Sequence, residues 1–296
     1  MNNIELLFED KFFCANISKN SKYLFLSKSK VSELYDFRNR TKLCDLHSKD
    51  VISSVFSEDE RFLALQKSSS IDLYDLADNK KIKTFLIGEC FASCIMFGDL
   101  LIYPKKDKKR NSSVVSYNFI TQENEILFNF PFANISSIKN DKKNLVIVFH
   151  KTSSDTFTVV KINMATKSNK KNTFELPGHG LNSVEYSSSI KKLFVIQKNM
   201  EQNNLYELFS IDVDINKKEK IKTFNLHNNA IQLKSCNNKL YVSSFFNVYI
   251  IDLLKNSETK IPVFPAAIIG ICDNSDFFYT YNGEYLSLYK HRQTVE

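Results

Sequence analysis

The sequence predicts an all-β fold, a seven-bladed β-propeller with four antiparallel strands per blade and an N-terminal strand closing the last blade. Three observations predict it. Seven segments share one ending, apolar residues leading to Tyr or Ile and usually then Asp or Asn: SELYDF, IDLYDL, VVSYNF, VVKINM, LFSIDV, VYIIDL and YLSLYK. Their anchors, Tyr35, Tyr74, Tyr117, Ile162, Ile211, Ile251 and Tyr289, are spaced by 39, 43, 45, 49, 40 and 38 residues. Runs of about 4 to 8 residues rich in Val, Ile, Phe, Leu and Tyr separate polar clusters, and nothing sustains a helical period.

Each unit repeats one internal order, plainest in the second. An apolar run, DVISSVF, leads through the turn SEDER to FLALQ, the loop KSSS, the anchored run IDLYDL, the turn ADNK and a last run, KIKTFLI. Four short strands in about 40 to 45 residues match the arithmetic of a propeller blade. The units are read as residues 11–46, 47–87, 88–131, 132–177, 178–226, 227–264 and 265–296 of one domain spanning 1–296. The seventh has three good strands and a polar tail, while NNIELLFE ahead of the first unit alternates like an orphan strand. An open edge exposes backbone donors and acceptors, so residues 3–8 are expected to supply the last blade's fourth strand.

Composition narrows the functions open to the chain. With 43% hydrophobic and 25% charged residues, and only 6 Gly and 5 Pro, it is globular rather than disordered or fibrous. The net charge of +7 permits an acidic partner but is weaker than that of a dedicated nucleic-acid binder. Cys14, Cys44, Cys90, Cys94, Cys236 and Cys272 mostly sit beside apolar residues, like free thiols used as small hydrophobes, which favours a reducing compartment. The stretch MNNIELLFEDKFF has acids in its apolar part and no basic start, unlike a signal peptide. No apolar run approaches the roughly 20 residues that span a bilayer. A monomeric cytoplasmic or nuclear domain is expected.

His47 precedes the second unit's first strand, SSVFSEDERFLAL follows, and Tyr74-Asp75 closes its third strand; His179 and His227 fall at the same boundary of later units. In these residues the chain resembles the WD-repeat (WD40-like) β-propeller family, whose blades carry Gly-His before the first strand and Trp-Asp closing the third. The match is degenerate, since no anchor is Trp and one Gly-His pair survives. The resemblance implies a non-catalytic platform binding a peptide or another subunit on the face of the blade-connecting and second-to-third loops. Lys49, Asp50, Asn182, Asn228 and Phe264 would lie on that rim, with the basic loop of Lys105, Lys106, Lys108, Lys109 and Arg110. It also implies that His47 joins a turn-side hydrogen-bond network, rather than a general-base or metal site with Asp45, Asp50 and Asp59.

Reactive motifs are missing. There is no Gly-x-Ser-x-Gly, no Gly-x-Gly-x-x-Gly and no phosphate loop. Cys90 and Cys94 lack the second pair that a four-ligand zinc site needs, and in CFASCIMF they are expected at core-facing strand positions. No catalytic residue, metal site or cofactor is predicted.

Basic loops are the remaining signal. On the opposite propeller face fall Arg38, Arg40, Lys142, Lys143, Lys170, Lys171, Lys191, Lys192, Lys217 and Lys218, interrupted by Asp78, Asp141, Asp214 and Glu219. Ordinary solvated turns therefore compete with a phosphate-binding face. Phosphoinositide-binding propellers carry Phe/Leu-Arg-Arg-Gly; FRNR at 37–40 splits the arginines and lacks the Gly. The expected function is a protein–protein interaction scaffold within a multiprotein complex. The alternative is an RNA-associated subunit of an RNA-modification or ribosome-assembly complex, with a phosphoinositide-binding propeller behind both.

Overall fold

The computed structural model describes residues 4–291 apart from 29, 91, 142, 152–155, 176–180, 200, 203, 216, 227–231, 245, 263–267 and 283. Lys142, His179, His227, Asn228 and Phe264 therefore lie outside the described residues. Among the described residues all 28 elements are strands, and they form seven antiparallel sheets of four, the blades of a seven-bladed β-propeller fold. The chain divides into two compact units, one of Met1–Lys108, Ser113–Phe128 and Ile268–Glu296, the other of Lys109–Ser112 and Asn129–Ala267.

The first unit opens with β1 (Ile4–Asp10) and continues into blade 1, made of β2 (Cys14–Ile17), β3 (Tyr23–Ser27), β4 (Ser32–Asp36) and β5 (Thr41–Leu46). Blade 2 is β6 (Ser53–Phe56), β7 (Phe62–Gln66), β8 (Ser70–Asp75) and β9 (Lys80–Leu86). Blade 3, most of which belongs to this unit, is β10 (Ile95–Phe97), β11 (Leu100–Lys106), β12 (Ser112–Asn118) and β13 (Asn124–Phe130). In the second unit, blade 4 is β14 (Ala133–Asp141), β15 (Asn144–Lys151), β16 (Thr156–Asn163) and β17 (Asn169–Glu175). Blade 5 follows as β18 (Leu181–Ser187), β19 (Lys192–Lys198), β20 (Leu205–Asp212) and β21 (Lys217–Asn225), and blade 6 as β22 (Gln232–Cys236), β23 (Lys239–Ser243), β24 (Asn247–Asp252) and β25 (Ser257–Pro262).

Blade 7 returns to the first unit with β26 (Ile268–Ile271), β27 (Phe277–Tyr281) and β28 (Leu286–His291). Its fourth strand is β1, antiparallel to β28 from Ile4 opposite His291 to Asp10 opposite Leu286, with a bulge between Leu6 and Phe8. The expected closure is present and runs two residues beyond the expected 3–8.

The apolar pattern explains the layering. Second and third strands such as β7 and β8 are buried almost throughout, because a neighbouring sheet covers each face. Cys14, Phe25, Leu63 and Tyr279 from blades 1, 2 and 7 thus share one core, and Val146, Phe157, Tyr186 and Leu193 pack blade 4 on blade 5. Fourth strands meet solvent instead, and β9 and β21 carry exposed lysines along the free edge, where charge deters pairing with another chain.

The recurrent Asp or Asn after the anchor has a structural cause. All seven anchors sit in third strands, and in six blades the next side chain caps the turn into the fourth strand. Asp36 Oδ1 accepts the amides of Arg38 and Asn39, Asn118 those of Ile120 and Thr121, Asn163 those of Ala165 and Thr166, and Asp252 those of Leu254 and Lys255, all at 2.8–3.0 Å. Asp212 does the same for Asp214 and Ile215, and Asp75 caps Ala77. Four residues after the cap the backbone turns left-handed, at Arg40 (φ 55°), Asn79 (49°), Gln122 (61°), Lys167 (57°) and Asn256 (48°). Such Asx turns hold a tip in one shape whatever residues it displays.

Candidate interaction surfaces

The network expected around His47 exists, built from other groups. His47 is exposed and makes no hydrogen bond to a described residue; Ser48 beside it takes the place, its Oγ donating to Asp72 Oδ2 at 3.0 Å. Asp72, 1% exposed, also receives Lys67 Nζ at 2.6 Å and Thr84 Oγ1 at 2.6 Å. Burial opposes its ionisation, and these three donors overcome that, holding the carboxyl below its ordinary value. Glu33 repeats the device in blade 1, clamped by Lys28 at 2.9 Å and Lys42 at 3.0 Å. The signal was an acid two residues before the anchor, in an otherwise apolar strand. Tyr74, standing where Trp is usual, leaves its buried hydroxyl without a partner among the described residues.

First strands of neighbouring blades carry two polar junctions, one in each unit. In the first, Asp273 after β26 meets Asn16 of β2 and the Phe56 amide of β6. Burial pushes the Asp273 carboxyl up to about 7, against the Phe56 and Asn16 bonds that favour its charge. In the second, Glu185 of β18, 3% exposed, accepts Lys139 Nζ of β14 at 2.7 Å and the Ser235 amide of β22 at 3.1 Å. Burial works against the Lys139 ammonium, and the adjacent carboxylate more than restores it.

The residues expected on the rim are placed as follows. Lys49 and Asp50 lie exposed between β5 and β6, with Asp50 left-handed at φ 56°. Lys105 and Lys106 end β11 rather than belonging to a loop; Lys108, Lys109 and Arg110 follow, exposed. Asn182 is not in a connecting loop, because pairing with β19 extends to Leu181 and sets it within β18 at the bulge before Ser183. Cys90 and Cys94 are buried as expected, but they precede β10 instead of lying in a strand. Burial raises their thiols to about 11 and about 12, which suits packing, not nucleophilic work.

On the basic side, Arg38 donates to Asn20 O at 3.1 Å, while exposed Arg40 is the left-handed turn residue. In the second unit, Lys143 and Lys191 occupy first-to-second turns, whereas Lys170 and Lys171 open β17 and Lys217 and Lys218 open β21. Asp214 partners Lys170 at 3.7 Å; Glu219 partners Lys192 at 3.8 Å and Lys217 at 2.8 Å. Lys218 lies over the Phe209 ring at 3.9 Å. Lys143, Lys171 and Lys191 have no ion-pair partner among the described residues.

A groove of about 660 Å³ runs between blades 7 and 1 of the first unit, floored by Phe8, Phe12, Leu24 and Phe277, with Arg38 and Arg40 among its lining. Among the described residues, no group of three or more His, Cys, Asp or Glu is placed to hold a metal ion, and no helix is long and apolar enough to cross a membrane.

These features define a seven-bladed β-propeller, and the solved structures resembling it include WD40 domains. One similar structure is Kuenenia stuttgartiensis hydrazine synthase, with a TM-score of 0.72 and 13% identity over 99% of this chain and 98% of that one. The Myceliophteria thermophila Cps50 (Swd1) β-propeller domain gives 0.66 and 12% over 96% and 98%, and the RRP9 WD40 repeats give 0.65 and 11% over 97% of each. At these identities the likeness is one of fold. No protein-family model and no curated protein matches the chain.

Proposed function

We propose that the chain is a non-catalytic interaction scaffold, a propeller subunit of a multiprotein complex in the cytoplasm or nucleus. The observation that carries this reading is the shared build of the third-to-fourth turns, with exposed aliphatic residues at their tips. Ile120 in blade 3, Ile215 in blade 5 and Leu254 in blade 6 are 73%, 69% and 71% exposed on capped backbones. Apolar groups pinned in water on rigid loops suit docking of another protein more than solubility. Purification of the tagged chain, followed by native mass spectrometry, is expected to recover a stoichiometric protein partner resistant to ribonuclease. Joint replacement of Ile215 and Leu254, both of the second unit, by Ser is expected to release it with the fold intact; a chain that purifies alone overturns the reading.

The second reading is an RNA-associated subunit, favoured by the unpaired Lys143, Lys171 and Lys191 on the turn ends of blades 4 and 5. RNA affinity would then fall steeply with salt and drop when the three become Gln. Affinity flat between low and physiological salt argues against it.

A further inference from the structure

The first strands of blades 4, 5 and 6 bring Lys139, Glu185 and Lys234 together in the second unit. The Lys139 ammonium pairs with the Glu185 carboxylate, and the Lys234 ammonium lies within electrostatic reach of both. Glu185 Oε1 is already committed, to Lys139 Nζ at 2.7 Å and to the amide and hydroxyl of Ser235 at 3.1 and 3.2 Å. The Ser235 hydroxyl also faces Tyr186 O at 3.0 Å and has no proton to spare. Lys234, partly buried, pairs through its backbone with Tyr241 of β23, but its ammonium has no hydrogen-bond or ion-pair partner among the described residues. Burial presses its pKa down, with Glu185 offsetting part of this and Lys139 adding to it. A partly buried ammonium with no counter-charge hydrogen-bonded to it is costly, and a hydrophobic residue of similar volume would fold better there.

We propose that Lys234, backed by Lys139, is an anion-binding site of the second unit that takes one oxyanion group, a phosphate or a carboxylate. The cluster of two lysines and one glutamate carries 2 − 1 = +1 of formal charge, so a single anionic group completes it. Lys234 makes the direct contact, while Lys139, held by Glu185, supplies the standing positive field. Neither residue lies on the exposed turn tips, so the site works independently of the scaffold reading.

Thermal melts of the full chain in phosphate, acetate and chloride at equal ionic strength test it. Phosphate or acetate is expected to raise Tm saturably, by about 2 to 4 °C at ten times its Kd, where chloride does not. Lys234→Met is expected to abolish the shift and to melt above the wild type in chloride, because it removes an unpaired charge. Lys143→Met, an exposed lysine of the same unit, keeps the shift. A response to phosphate alone identifies a phosphoryl group; a response to acetate identifies a carboxylate. Equal shifts in wild type and Lys234→Met, no oxyanion-specific shift, or a Lys234→Met chain melting below the wild type in chloride overturns the site.

Discussion

Asn16 and Asp273, 257 residues apart, hold each other through reciprocal hydrogen bonds: Asn16 Nδ2 donates to Asp273 Oδ2 at 2.9 Å, and the Asp273 amide donates to Asn16 Oδ1 at 2.7 Å. The same Nδ2 reaches Ser54 O and the same Oδ2 takes the Phe56 amide, so one pair joins the first strands of blades 1 and 2 to the turn after blade 7's first strand.

That pair makes stability depend on pH. With its folded pKa raised from 3.8 to about 7, Asp273 keeps a proton that the unfolded chain has lost, so the folded state weakens as pH climbs through this interval. Asp273→Asn keeps an acceptor oxygen and cannot ionise. The difference in Tm, variant minus wild type, should therefore grow from pH 4 to pH 7 and level off above; a constant difference contradicts the account.

Replacing Asp72 by Ala leaves Lys67 facing a void and strands Ser48 and Thr84, at an expected cost of about 2–4 kcal/mol in urea unfolding. Its pKa is lowered, so its contribution is present above 3.8 and lost as pH falls below that value; the variant should lack this part of the acid limb. His47→Ala should stay within about 0.5 kcal/mol of wild type. The reverse ranking would restore the histidine-centred network.

Deleting residues 1–10 removes β1 and bares the β28 edge. Calorimetry should show the melting temperature falling by about 10 °C, with aggregation on heating through the exposed strand. An unchanged melt would mean that β28 needs no partner.

The turns can be tested one at a time. Gln122 holds φ 61° without being glycine, so Gln122→Gly should stabilise by about 0.5–1 kcal/mol. Asn118→Ala, which uncaps two amides, should cost about 1 kcal/mol. Paired denaturant melts that show both changes neutral would mean this turn is not strained or capped as described.

What was readable in the sequence was whatever repeats. The anchor period gave seven blades, NNIELLFE gave the closing strand, and the Asp or Asn after six of the seven anchors marked a turn that proves to be capped by that very side chain. Contacts between blades left no such trace, because they depend on which faces of different repeats meet. Lys139, Glu185 and Lys234 lie one per repeat, and no local pattern says that they converge. His47 misled for a related reason: Ser48, one residue on, points into the blade and His47 does not.

The closing strand also sets a timetable. Glu9 and Ser287 are hydrogen-bonded across 278 residues, so on a ribosome adding about 5–20 residues per second β1 waits roughly 15 to 60 s for its partner. The second unit, nearly all in the continuous stretch Asn129–Ala267, can finish while the first is still missing its last sheet. Throughout that interval Leu6 and Leu7 hang on an unpaired strand, and the nascent chain's need for a chaperone should be concentrated there.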